Sequence, residues 1–282
     1  MDSIQDTYVL SNGVKIPCVG YGTWTLQNDQ KSVDILKTAI DCGYHHIDTA
    51  FYYNNEKAVG QAVRECGLKR SELFITGKLG NDNHGYENTL KEFGMTMENL
   101  GVEYLDLYLI HWPIPIINRN NWKEINEGSW KAFEELYQEG KIKAIGVSNF
   151  LQNHLDAILE TATIAPMVDQ LELHPQYVQR EAVNYCKDHR MIVEAYSPLI
   201  TGQMQNPLLI EIAGKYNRSV AQVLLRWSIQ HGFLPLPRAT KRVNMKENAD
   251  IFDFELSEED IEAMKVLETL GRTGFHPDKL ES

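Results

Sequence analysis

The alternation of short apolar runs with helix-period stretches is the feature that most constrains the fold of this chain. Apolar residues recur at helical spacing in stretches such as residues 33–40 and 130–137. Between such stretches we predict eight strands at residues 18–21, 44–48, 73–78, 105–111, 142–147, 167–173, 192–196 and 233–236. This alternation is typical of parallel strands joined by right-handed crossovers. Eight repeats favour an α/β fold of the closed (β/α)8 TIM barrel type over an open sheet.

An N-terminal β-hairpin is predicted before the first barrel strand. Two short β-type runs flank Asn12 and Gly13, and an Asn-Gly pair supplies the positive φ angles of a tight hairpin turn. We expect this hairpin to cover the N-terminal end of the barrel, away from the C-terminal strand ends where barrel enzymes place their active sites. Because no linker or low-complexity segment divides the chain, we expect a single domain over residues 1–282.

Charge and composition exclude several classes of function. The net charge is −12 and no block of Lys and Arg stands out, which argues against nucleic acid or an anionic membrane as a partner. The chain start lacks the pattern of a signal peptide, so we expect a cytoplasmic protein with reduced thiols. The four cysteines form no Cys-x-x-Cys pair, and His45 and His46 point to opposite faces of a strand, so no metal is expected.

Four polar side chains follow the predicted strands closely enough to meet at one end of a barrel. Asp48, Lys78 and His111 stand at strand ends, and Tyr53 lies in the loop after Asp48. Barrel enzymes place their active sites at the C-terminal ends of the strands. An acid, a phenol, an amine and an imidazole held together can transfer protons. Taken singly, Asp48 also suits a turn and Tyr53 also suits packing among aromatic neighbours.

Five ordered motifs extend this pattern. They are GYHHIDTA at residues 43–50 with Glu56 and Val59-Gly60 beyond it, LYLIHWP at 107–113, GKIKAIGVSNF at 140–150, VDQLELHP at 168–175, and AYSPL at 195–199. With these motifs the chain resembles the aldo-keto reductases over almost its whole length. It departs from the first motif at His45, where arginine is usual. The short C-terminal tail is most similar to prokaryotic members of the 2,5-diketo-gluconate reductase type.

The resemblance implies catalytic roles for the four polar residues. Tyr53 would be the general acid in carbonyl reduction, with Lys78 and Asp48 as its partner ion pair, and His111 would orient and polarise the carbonyl. A nearby lysine cation stabilises tyrosinate, so we expect Lys78 to lower the pKa of the phenol. No metal is needed for this chemistry, because Tyr53 and His111 together act as the electrophile. Side chains cannot transfer a hydride, so a nicotinamide must supply it.

The resemblance also implies the positions that bind NADP(H) and substrate. Trp24 and Trp112 would wall the substrate pocket. The loop from Trp112 to Gly128 has an apolar rim that suits an aliphatic or aromatic carbonyl, although ordinary loop packing explains it equally well. The rim residues are Trp112, Ile114, Ile116, Ile117 and Trp122. The implied cofactor-binding residues are Thr23, Trp24, Ser148, Asn149, Gln170, Tyr196, Ser197, Leu199, Arg238, Ala239, Thr240, Asn244, Glu247 and Asn248.

One segment departs from the family pattern where the 2′-phosphate of NADP would bind. Arg238 stands where lysine is usual, Ala239 where serine or threonine is usual, and Asn244 where arginine is usual. Lys241 and Arg242 either compensate for the missing cation or form a solvated charged turn. We therefore expect NADPH to be preferred over NADH by a reduced margin, with NAD(H) as an alternative cofactor.

The sequence thus predicts an NADP(H)-dependent oxidoreductase that reduces small aldehydes or ketones to alcohols. We expect a monomer or a weak homodimer that acts on a small-molecule carbonyl substrate. The alternative is a cofactor-binding regulatory subunit of the same fold with little turnover. A barrel isomerase or aldolase that uses Lys78 as a Schiff base is a further rival.

Overall fold

Parallel strands and intervening helices follow one another along the chain in the computed structural model, which describes residues 1–279. Residues 280–282 of the predicted domain lie outside the described residues. A two-stranded hairpin comes first, and eight parallel strands follow. The hairpin strands are β1 (Thr7–Val9) and β2 (Lys15–Pro17), and the barrel strands are β3 (Gly20–Gly22), β4 (His46–Asp48), β5 (Phe74–Leu79), β6 (Leu107–Ile110), β7 (Ile145–Ser148), β8 (Val168–Glu172), β9 (Ile192–Tyr196) and β10 (Leu234–Pro235).

Helices connect these strands and cover the outside of the barrel. Single helices join successive strands from β3 to β9, two helices join β9 to β10, and two more follow β10. Their bounds are α1 (Gln30–Asp41), α2 (Glu56–Glu65), α3 (Tyr86–Leu100), α4 (Trp122–Gln138), α5 (Gln152–Leu159), α6 (Arg180–Asp188), α7 (Pro207–Lys215), α8 (Val220–Gln230), α9 (Arg242–Ala249) and α10 (Glu258–Met264). No helix within residues 1–279 is both long enough and apolar enough to cross a membrane.

The sheet curves until its first and last strands meet. Each strand from β3 to β10 pairs in parallel with the next one along the chain. The amide of Gly22 donates to the carbonyl of Pro237 at 3.1 Å, which joins β3 to the segment after β10. A Cβ on Gly20 would lie 2.4 Å from the Leu236 side chain, so a larger residue there would have to displace its neighbours at this closure. The predicted (β/α)8 barrel is confirmed.

The N-terminal hairpin lies at the N-terminal ends of the barrel strands, as expected. Asn12 donates to the carbonyl of Lys143, ahead of β7, and the Tyr8 hydroxyl donates to the carbonyl of Phe233, ahead of β10. The turn differs from the prediction in one respect. Gly13 has a positive φ of 87°, whereas Asn12 does not and instead uses its side-chain oxygen to accept from the amide of Val14.

Two local predictions also differ from the structure. Most barrel strands begin one to three residues later than expected, because the first residues of the predicted runs lie outside the continuous parallel pairing. The predicted loop from Trp112 to Gly128 is shorter, since α4 already begins at Trp122. The indole of Trp122 packs edge-on against His154 on α5, with ring centroids 5.1 Å apart, and this contact continues the buried face of the helix.

Helix ends follow the sequence signals closely. The Ser219 hydroxyl accepts from the amide of Gln222 and so caps the N-terminus of α8. The residue Gly140 follows the last turn of α4 with a φ of 74°, a left-handed conformation that glycine adopts without strain. The parallel pairing of β3 to β10 places every strand C-terminus at the same end of the barrel.

Candidate active site

A buried ion pair lies at the C-terminal end of β4 and β5. Nζ of Lys78 donates to both carboxylate oxygens of Asp48, at 2.6 and 2.7 Å, and to the carbonyl of Thr49 at 3.1 Å. The two residues are 0% and 3% exposed. Burial opposes the charge on Lys78, but attraction to Asp48, Tyr53 and Glu194 outweighs it and raises the pKa of the lysine. The pair therefore holds a cation at the barrel mouth.

Tyr53 places its phenol beside this cation. It ends the short 3-10 helix Phe51–Tyr53 that follows β4, and its hydroxyl accepts from Nζ of Lys78 at 3.4 Å. Burial raises the pKa of Tyr53, Lys78 lowers it, and the net shift is upward. Lys78 thus acts on the pKa in the expected direction, but the loss of water around the phenol outweighs the lysine. The phenol consequently keeps its proton at neutral pH.

His111 completes the group of four. It follows β6 directly, and its ring lies 5.6 Å from the Tyr53 ring at an angle of 74°. Burial, followed by Lys78 and His84, lowers the pKa of His111 well below its usual value. The imidazole is thus neutral and offers one N–H donor. Its backbone carbonyl accepts from the side-chain amide of Asn149 at 3.0 Å, which ties the loops after β6 and β7 together.

The predicted carboxamide-binding residues also meet at this end of the barrel. Ser148 Oγ and the backbone amide of Asn149 both donate to the carbonyl of Gln170, each at 2.9 Å. The Tyr196 hydroxyl donates to Oδ1 of Asn149 at 2.8 Å. Asn149 has a positive φ of 64°, a conformation that asparagine tolerates better than most residues. These four side chains line one continuous arc beside the ion pair.

The loop after β9 has a strained backbone and is bonded to the C-terminal segment. Ser197, Ile200 and Thr201 all have positive φ angles between 50° and 53°, which is unfavourable for the two β-branched residues. Ile200 is fully buried, and the Thr201 hydroxyl bonds to that of Thr273 in the C-terminal segment at 2.9 Å. Leu199, another predicted contact, is half-buried in this loop. Such strain is typical of loops that are shaped for a ligand.

The predicted phosphate-binding segment lies just beyond β10 and is open to solvent. The side chains of Arg238, Lys241 and Arg242 are exposed, and Arg242 forms an ion pair with Asp41 at 3.6 Å. Backbone contacts fix the segment, since the Tyr21 hydroxyl donates to the carbonyl of Ala239. Both interpretations of Lys241 and Arg242 therefore stay open, because an exposed cation fits a phosphate site and a solvated turn equally well.

The remaining predicted nucleotide contacts are on or next to α9. Thr240 and Asn244 are exposed, Glu247 is half-buried, and Asn248 is buried. The N-terminus of this helix has no side-chain cap, so no capping side chain accepts from its first amide groups. It is anchored from below by Tyr44, whose hydroxyl donates to the carbonyl of Met245 at 3.0 Å.

The two predicted pocket tryptophans lie in the loops after β3 and β6. Trp24 follows β3 and is 60% exposed, while Trp112 is half-buried with its ring 6.5 Å from that of His111. Thr23 is fully buried, and its carbonyl accepts from the Asn55 side chain at 2.9 Å. The structure thus brings Thr23 and Trp112 close to the four central residues and leaves the Trp24 indole at the rim.

Two buried glutamates at this end of the barrel were not predicted. Glu172 ends β8, and its oxygens accept from the backbone amides of Thr273 and Gly274 at 2.6 and 3.0 Å, which holds the C-terminal segment at the mouth. Glu194 lies in the middle of β9 and accepts from Gln170 at 2.6 Å. A charged residue inside an apolar strand is a signal that could have identified Glu194. Nothing in the sequence pairs Glu172 with residues about 100 positions away.

Comparisons with known proteins agree with the family that the sequence motifs resemble. A family model described as the Aldo/keto reductase family matches residues 18–268. The chain belongs to this family. Glyoxal reductase of Bacillus subtilis (strain 168) is 47% identical over 279 residues, which cover 99% of this chain and 98% of that protein.

Solved structures agree in fold over nearly the whole chain. An aldo/keto reductase from Brucella melitensis has a TM-score of 0.89 and 42% identity, covering 95% of this chain and 99% of that one. An aldo-keto reductase from Bombyx mori, solved in complex with NADP, has a TM-score of 0.88 and 32% identity, covering 96% of this chain and 95% of that one. The family resemblance is confirmed, and the finer likeness to the 2,5-diketo-gluconate reductase type stays a prediction.

Proposed function

We propose that the protein is an NADP(H)-dependent oxidoreductase that reduces small aldehydes or ketones to alcohols, with Tyr53 as the general acid. The observation that carries this proposal is the position of the Tyr53 hydroxyl, 3.4 Å from a buried lysine that is itself paired with Asp48. His111 lies beside the same phenol. Membership in the aldo/keto reductase family and the NADP complex of the Bombyx mori protein support the same chemistry.

The donor groups of this chain fit a nicotinamide dinucleotide phosphate. Arg238, Lys241 and Arg242 cluster near the uncapped N-terminus of α9, and exposed cations beside free helix amides suit a phosphate group. At the other end, Ser148 and Asn149 offer polar groups suited to a carboxamide, with the Tyr196 ring nearby. These two groups of residues would hold the two ends of the cofactor.

The proposed reaction divides the work between cofactor and protein. A nicotinamide cofactor held by these residues would supply the hydride for the carbonyl carbon. Tyr53 donates its proton to the oxygen, which would otherwise become a free alkoxide. Lys78 stabilises the tyrosinate that remains, and Asp48 balances the charge of the lysine. The neutral imidazole of His111 donates an N–H to the carbonyl oxygen and orients the substrate.

Replacement of Tyr53 by phenylalanine tests this assignment. We expect Tyr53→Phe to lower carbonyl reduction by ~10²–10⁴-fold, the usual loss for a general acid. Cofactor affinity should change little, because the phenol acts on the substrate oxygen. Steady-state kinetics with NADPH and a fluorescence titration of the cofactor would measure both quantities.

The neighbouring residue Tyr52 provides a matched control, because it is 64% exposed. Tyr52→Phe should keep near-normal turnover. If Tyr53→Phe retained most of its activity, another group would be the proton donor, and His111 would be the next candidate. If the unmodified protein bound NADPH without reducing any carbonyl, the regulatory-subunit alternative would be favoured instead.

A further inference from the structure

A buried carboxyl group lies directly beneath the catalytic ion pair. Glu194 is the third residue of β9, opposite Gln170 on β8 and Leu234 on β10. Its side chain is fully buried in the barrel interior. Oε2 of Glu194 accepts from Nε2 of Gln170 at 2.6 Å, while Oε1 has no hydrogen-bond partner within the described residues. The mechanism above assigns no role to this group.

The same nitrogen of Gln170 also bonds to the catalytic aspartate. Nε2 of Gln170 donates to Oδ2 of Asp48 at 2.9 Å as well as to Oε2 of Glu194. An amide nitrogen carries two hydrogens, so both are used by these two carboxyl groups. The inverted amide would place Oε1 of Gln170 against the carboxylate of Asp48 and would be repelled. Asp48 therefore sets which end of the amide faces the ligand, and Glu194 holds the amide there by accepting its second hydrogen.

We propose that Glu194 is a positioning residue that locks the amide of Gln170 with Oε1 as the acceptor offered to the cofactor. This inference rests on the proposed function, in which Gln170 helps to hold the nicotinamide carboxamide. An acceptor selects for an N–H donor on the ligand. The site would thus favour a primary carboxamide over a methyl ketone at the same ring position.

Charge balance indicates which form of Glu194 performs this role. Lys78 is the cation of the cluster and Asp48 is paired with it, while burial and Lys78 lower the pKa of the facing His46 to about 3. Burial, followed by Asp48, raises the pKa of Glu194 to about 8. The buried Asp169, on the next strand, also has a raised pKa. At neutral pH a protonated Glu194 accepts from Gln170 without adding a second unpaired charge.

Ionisation of Glu194 would act on ligand binding in a definite direction. A raised carboxyl pKa means that the protonated form prevails below about pH 8 and the anion above it. The anion would repel Asp48 and loosen the arrangement around Gln170. We therefore expect cofactor affinity to fall as the pH rises above about 8. The pKa of Tyr53 is raised above its usual value near 10, so Tyr53 does not cause this change.

Binding of NADPH and of one analogue would distinguish this role from a purely structural one. The probes are NADPH and its 3-acetylpyridine analogue, which replaces the carboxamide NH2 by a methyl group. The unmodified protein should bind NADPH more tightly than the analogue. Glu194→Leu should reduce that discrimination by roughly three- to tenfold, the effect of one hydrogen bond. Glu194→Gln, which keeps an acceptor oxygen, should restore it and should lose the pH dependence above about 8.

A control variant and the contradicting results complete the test. Glu56→Gln alters another buried carboxyl group, on α2, whose pKa burial also raises, and it should change neither the discrimination nor the pH profile. Full discrimination in a folded Glu194→Leu protein would overturn the inference. If that variant does not fold, an unchanged pH profile in Glu194→Gln would overturn it instead. Failure of the unmodified protein to bind NADPH would contradict the proposed function itself.

Discussion

The two ends of the proposed cofactor site are built differently. At the catalytic end, Asp48 and Lys78 are almost completely buried and are joined by two hydrogen bonds of 2.6 and 2.7 Å. At the nucleotide end, Arg238 and Asn244 are exposed on a segment that is fixed mainly through its backbone. The first end is fixed by its own side-chain hydrogen bonds, whereas the second exposes its polar side chains to solvent. We therefore expect substitutions at the first end to lower both stability and turnover, and substitutions at the second end to change cofactor binding alone.

The largest expected effect comes from removal of the buried cation. Lys78→Met leaves Asp48 as a buried carboxylate without its partner, and breaking such a pair costs about 3–5 kcal/mol. We expect a marked loss of stability in denaturant unfolding together with loss of turnover, because Tyr53 also loses its cation.

An exposed lysine supplies the control for that comparison. Lys141 pairs with Glu139 at 2.7 Å, with about half of each side chain exposed. Lys141→Met should change stability by no more than about 1 kcal/mol, as is typical of surface pairs. Equal destabilisation by the two variants would mean that the buried pair is not what organises the catalytic end.

An intermediate effect is expected from Arg238, and it should be confined to the cofactor. A hydrogen bond to a charged group contributes about 1.5–3 kcal/mol, so Arg238→Ala should raise the KM for NADPH by roughly tenfold or more. The KM for NADH should barely change, because NADH has no 2′-phosphate. Lys246→Ala, in the last turn of α9, is the matched control. An equal loss with both cofactors would show that Arg238 does not recognise the phosphate.

The smallest expected effect is a gain. Asn244→Arg introduces the cation that is usual in the family at the exposed start of α9. We expect the preference for NADPH over NADH, measured as the ratio of kcat/KM values, to rise by about tenfold or less, since exposure weakens the new charge. An unchanged ratio would indicate that Lys241 and Arg242 already supply the missing charge.

The contrast between the two ends also explains how far the sequence could predict the structure. Asp48, Lys78 and His111 were predictable because parallel strands must bring their C-terminal ends together, which places these residues without any knowledge of side-chain contacts. The pKa of Tyr53 was not predictable in sign, since it depends on how burial competes with Lys78 in three dimensions. The length of the loop before α4 was predicted wrongly for a similar reason, because the contact of Trp122 with His154 is tertiary.

Residues joined over long distances were beyond sequence reasoning. The bonds from Thr273 to Glu172 connect positions about 100 residues apart and carry no periodic signal. The role of Lys241 and Arg242 is undetermined by the sequence for a different reason. Their side chains are exposed, so packing does not select one arrangement over another.

Turnover of a panel of small aldehydes and ketones by the unmodified protein, with NADPH and NADH in parallel, tests the central claim most directly. We predict that at least one carbonyl is reduced, as measured by the loss of NADPH absorbance. The kcat/KM for NADPH should exceed that for NADH by a modest margin. Tight binding of NADPH without turnover of any carbonyl in the panel would contradict the assignment of this protein as a reductase.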